Sequence, residues 1–66
     1  MENTQLQPLA HSPNSAAARL NESVRSVYTH IATGELRSYK SGKRRLIPDT
    51  ELRSFVERRL AAASAA

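Results

Sequence analysis

The chain predicts a mainly α fold carrying one small β-hairpin. Three observations predict it. Apolar residues recur at helical spacing in three separate segments. Each segment is bounded by capping or breaking residues. Between the second and third lies "RSYKSGKRRLIP" (37–48), where strand-favouring Tyr39, Leu46 and Ile47 flank a Ser-Gly turn signal.

The first helix is predicted in "SPNSAAARL". Ser12 is a good N-cap, and Pro13 suits the first helical position because the missing N–H is unsatisfied there anyway. Ala16, Ala17 and Leu20 share a face, and Asn21 is a plausible left-handed terminator. The second is "SVRSVYTHIATGEL". Ser23 caps it, Val24, Val27 and Ile31 form its apolar stripe, and Gly34 stops it. Arg25, Ser26 and Thr29 point away from that stripe, with Tyr28 on its flank. The short link between these helices is that of a helix-turn-helix. The third is "DTELRSFVERRLAAA", with Asp49 as N-cap candidate and Leu52, Phe55, Val56 and Leu60 as its buried stripe. Val24, Val27, Ile31, Leu36, Leu52, Phe55 and Val56 are the expected core. Residues 1–11 are polar and aperiodic, and are expected to be a disordered leader. Residues 61–66 are an Ala-rich tail that extends the last helix and frays. A hairpin placed between these helices is a wing, so residues 12–60 are expected to form one winged helix-turn-helix domain. Two strands alone are unstable in water and need the helices behind them.

Composition narrows the function. Sixty-six residues allow one domain with a small core. There is no cysteine, and no apolar run long enough for a signal peptide or membrane span. The net charge is +4 and the pI about 10.4, an electrostatic footprint of nucleic-acid binding. Five of the ten Lys and Arg fall within residues 37–45, and no acid lies between Leu36 and Pro48. That run makes a local positive field. His11 and His30 lack metal-ligand spacing and are expected in surface or packing roles. No serine is marked as a nucleophile with a base and an orienting acid. No phosphate loop or metal-binding acid cluster is present. The chain is therefore expected to be no enzyme and to need no cofactor.

The segment "SVRSVYTHIATGELRSYKSGKRRLIPDTELRSFVERRL" resembles the excisionase-type winged helix-turn-helix family, a relative of the MerR DNA-binding head. The resemblance rests on Ser23, Val27-Tyr28, Ile31, Gly34-Glu35-Leu36, Tyr39-Lys40, Gly42-Lys43-Arg44-Arg45 and Ile47-Pro48, with Leu52 and Phe55 in the last helix. It implies binding to double-stranded DNA in the cytoplasm of the host cell. The second helix would enter the major groove, with Arg25 as the best candidate for a bidentate guanine contact. Ser26 and Thr29 would hydrogen-bond bases or phosphates, and Tyr28 a phosphate. Lys40, Ser41, Gly42, Lys43, Arg44 and Arg45 would form the wing, tracking the backbone or the minor groove. The resemblance further implies a recombination directionality factor that binds and bends attachment-site DNA. It would act with an integrase, through cooperative head-to-tail copies. A small phage or mobile-element regulator is the alternative of the same chemistry. A protein-interaction module using the third helix and tail is the alternative of another class.

Overall fold

The computed structural model describes residues 8–65. In chain order it has strand β1 (Ala10–His11), helix α1 (Pro13–Leu20), helix α2 (Val24–Thr33), strands β2 (Tyr39–Ser41) and β3 (Arg44–Pro48), and helix α3 (Asp49–Ala65). The fold is a winged helix-turn-helix: three helices and a small antiparallel sheet.

Local chemistry sets the helix ends as expected. Ser12 Oγ accepts from the Ser15 N–H at 3.1 Å and caps α1, with Pro13 in its first turn. Asn21 ends it in the left-handed region (φ 58°). Ser23 Oγ accepts from the Ser26 N–H at 3.1 Å and caps α2, and Gly34 (φ 87°) closes it. The turn Asn21–Ser23 thus joins two independently capped helices. At the wing tip Gly42 and Lys43 link β2 to β3. Gly42 has φ +64° while Lys43 does not cross to positive φ, the φ pattern of a type II′ hairpin turn.

The sheet has three strands, not two, in the order β1-β3-β2. β2 pairs β3 with Tyr39 opposite Leu46, Lys40 opposite Arg45 and Ser41 opposite Arg44. β1 pairs the other edge of β3, with Ala10 opposite Pro48 and His11 opposite Ile47. The expected leader therefore ends before residue 10. Ala10 and His11 are ordered by pairing to residues far along the chain, which two residues cannot announce by periodicity. Residues 1–7 of that leader lie outside the described residues.

Ala16, Ala17, Val27, Leu36, Ile47, Leu52 and Phe55 are buried together, with Leu20, Val24 and Ile31 packed against them half-buried. The two alanines let α1 approach its neighbours closely, and each large buried side chain contributes about 1.5–3 kcal/mol. Val56 and Leu60 depart from expectation: they are 51% and 66% exposed. For Leu60 length is the reason. α1 has 8 residues and α3 has 17, so a support about 12 Å long meets a helix about 26 Å long. The far half of α3, with Leu60, outruns what could cover it, whereas Val56 lines the open groove between α1 and α3.

Asp49 is the junction of the fold. It is the first residue of α3 rather than the cap before it. Its carboxylate accepts from Arg53 Nε at 2.9 Å and Arg19 Nη2 at 3.0 Å, and lies 2.7 Å from His11 Nε2. Its backbone N–H donates to the Leu9 carbonyl at 2.8 Å. Arg53, then His11, then Arg19 hold this carboxyl well below the usual carboxylate range.

Candidate nucleic-acid interface

Hydrogen-bond and ionic partners divide the ten Lys and Arg of the chain into two groups. Arg19 and Arg53 are paired with Asp49. Arg58 donates to the Glu35 carbonyl at 2.7 Å. Arg59 donates to the Glu35 carboxylate at 3.1 Å and lies over the Phe55 ring, 4.9 Å from its centroid. Arg45 donates to Ser38 Oγ at 2.7 Å. The other five are Arg25, Arg37, Lys40, Lys43 and Arg44. Their side chains find no hydrogen-bond or ionic partner among the described residues. They are consecutive cations in the chain, and they sit on α2, the loop after it and the wing. Among the described residues, the cations whose side chains have no partner are therefore confined to one continuous part of the fold. Arg37 belongs to this group although the motif reading passes over it. Its only signal is membership of the basic run.

On α2, Arg25, Tyr28, Thr29 and Ala32 are exposed and share one face at i, i+3, i+4 and i+7. Val27, on the opposite face, is fully buried. Arg25 stands in the first turn, where recognition helices reach base edges. Tyr28 is 49% exposed, leaving its ring edge available. Ser26 lies apart from this face. It is half-buried, and its hydroxyl donates to Glu22 at 2.7 Å. The Thr29 hydroxyl donates to the Arg25 carbonyl at 3.1 Å. Ala32 completes the face. Its methyl group carries no motif, so only the helical register reveals it.

His30 braces α2 from behind. Its ring nitrogens lie 2.9 Å from Glu22 and 3.1 Å from Glu35, and its ring is 4.7 Å from that of Phe55. Through Glu35 the contact extends to Arg59 of α3. Hydrogen bonds from Ser26 first, and then from His30, hold the Glu22 carboxyl below its ordinary range. These bonds fix the pitch of α2 against the turn before it and the helix behind it.

In the wing, Lys40 and Arg45 are directly opposed. Like charges in that position repel. The bond from Arg45 to Ser38 draws its guanidinium away, and Arg45 is the half-buried cation of the wing. Lys40, Ser41, Gly42, Lys43 and Arg44 are all exposed at the tip.

One arrangement was not legible from the sequence. The Ser15 hydroxyl lies 3.0 Å from His11 Nδ1, and His11 Nε2 lies 2.7 Å from Asp49. Serine, imidazole and carboxylate stand in series. The imidazole is only 4% exposed, and the carboxylate is shared with two guanidinium groups. This arrangement ties β1 to α1 and α3. A groove of about 300 Å3 between α1 and α3 is lined by Arg19, Leu20, Leu52, Arg53, Val56 and Glu57. It includes no residue of α2 or the wing. Among the described residues no His, Cys, Asp and Glu cluster could hold a metal ion. None of their helices is long and apolar enough to cross a membrane.

A capped helix pair with an exposed second helix, and a cationic wing beside it, define a DNA-binding domain. The chain belongs to the helix-turn-helix domain family, whose profile matches residues 12–60. This DNA-binding family includes excisionase-like proteins. Compared with curated proteins and with solved structures, the chain matches none.

Proposed function

We propose that this protein binds double-stranded DNA sequence-specifically and acts as an excisionase, a recombination directionality factor working in the cytoplasm of its host cell. The observation that carries the DNA-binding reading is the confinement of the five cations unpartnered among the described residues to α2, its following loop and the wing. Helix α2 lies in the major groove with Arg25 on a guanine, and Tyr28 reaches a phosphate at the groove edge. Lys40, Lys43 and Arg44 at the wing tip follow the adjacent backbone, with Ser41 beside them and Gly42 allowing close approach. Arg37, between the two elements, joins them across the intervening phosphates.

The excisionase role rests on the sequence resemblance together with the size of the domain. A single module of this size buries only about 600–1,000 Å2 of its own surface on DNA. Tandem copies on repeated sites, and a contact with an integrase, raise the effective affinity. The bent DNA then assembles the excisive complex.

Footprinting on DNA flanking the gene, including any attachment site, tests this role. Evenly spaced protected repeats beside a recombination core are expected. A single protected site over a promoter would replace the excisionase role with that of a transcriptional regulator.

A further inference from the structure

The hydroxyl groups of Ser26 and Thr29 on α2 are spent inside the protein. Ser26 donates its one hydroxyl hydrogen to Glu22 at 2.7 Å, and Thr29 donates its own to the Arg25 carbonyl at 3.1 Å. Neither can donate to a base without breaking a bond it already has. Thr29 is nonetheless exposed, on the face that carries Arg25, and Ala32 is exposed beside it. Beside the Tyr28 ring, this face therefore presents a guanidinium followed by methyl groups. In the major groove the apolar feature of a base edge is the C5-methyl of thymine, and Ala and Thr methyls are suited to it.

We infer that Thr29, with Ala32, reads thymine methyl groups beside the base contacted by Arg25, making Thr29 a specificity-determining residue. The inference rests on the DNA-binding reading and names what that site selects. Four residues of helix rise about 6 Å, less than two base steps of about 3.4 Å each. The thymine thus falls within about two base pairs of the guanine. The competing use of Thr29 is as an acceptor, through its oxygen lone pairs, from a cytosine or adenine amino group.

The full chain is first used to select binders from a random-sequence duplex pool at fixed salt. The enriched duplex is then made with deoxyuridine replacing each thymine in turn, which removes only the methyl group. Affinities are measured for the wild type, Thr29→Ser and Thr29→Val, with melting curves confirming that each variant is folded. One thymine-to-uracil replacement should weaken the wild type about fourfold, the worth of one buried methyl. Thr29→Ser should lose the same factor on the thymine duplex and nothing further on the uracil duplex. Thr29→Val, which keeps a methyl and loses the hydroxyl, should preserve the thymine-to-uracil ratio. A wild-type ratio of one at every thymine, or loss of the ratio in Thr29→Val, overturns the methyl reading while leaving DNA binding intact. A pool that yields no enriched sequence overturns both the methyl reading and sequence-specific binding.

Discussion

Replacing Lys43 and Arg45 separately by alanine should produce two different losses of DNA affinity, although both are wing cations. Lys43 is exposed and unpartnered among the described residues, while Arg45 is half-buried and donates to Ser38 at 2.7 Å. With Arg25 on a base, four unpartnered cations remain for phosphates: Arg37, Lys40, Lys43 and Arg44. At about −0.9 per phosphate, the log-log dependence of affinity on salt should have a slope near −3.6. Between 50 and 200 mM salt that is roughly a 150-fold loss of affinity. Lys43→Ala should flatten the slope to about −2.7, a loss of roughly 40-fold over the same range. Arg45→Ala should lower affinity at every salt concentration but leave the slope near −3.6, because it loosens the wing rather than removing a phosphate contact. Ser38→Ala should mimic it, although Ser38 carries no charge. The assay is fluorescence anisotropy on one labelled duplex in graded sodium chloride. If Arg45→Ala flattens the slope as much as Lys43→Ala does, Arg45 is a phosphate contact and the assignment drawn from its bond to Ser38 is wrong.

Arg25→Ala should cost about 1–3 kcal/mol on a selected site and relax preference at one base pair. An equal loss on cognate and scrambled duplexes would make Arg25 a phosphate contact. Leu36 is 1% exposed, so Leu36→Ala should lower unfolding free energy by about 2–5 kcal/mol in urea titration. Leu60→Ser, on the uncovered half of α3, should change it by no more than about 0.5 kcal/mol; a loss as large as that of Leu36→Ala would mean that Leu60 is covered in solution. The folded Asp49 carboxyl is held below its unfolded value of about 3.9. Its contribution to stability is therefore complete above that pH range and is lost as pH falls toward the folded value. As pH falls through that range, wild-type stability should therefore drop toward that of a variant that no longer carries this linkage. Asp49→Asn should be less stable at pH 7 and less sensitive to acid, and parallel acid curves for the two proteins would refute the role given to Asp49.

What the sequence by itself determined is the set of features whose causes act within a few residues. Ser12, Ser23, Asn21 and Gly34 end their helices through bonds and backbone geometry reaching no more than about one turn, so their identities suffice. Gly42 at the wing tip is legible for the same reason. Arg25, Tyr28 and Thr29 on an exposed helix face follow from the 3.6-residue period once Val27 and Ile31 mark the buried side. Tertiary structure alone decided whatever needed a distant partner. β1 exists because His11 meets Ile47 across the sheet. Val56 stays exposed because the groove between α1 and α3 is open, and Leu60 because α1 is too short to reach it. The cations are sorted in the same way: Arg19 is silenced by Asp49 and Arg59 by Glu35, 30 and 24 residues away. A charge run shows how many cations are near each other. Only folding brings in the acids that cancel some of them, because a carboxylate acts through space over a few ångströms and not along the chain.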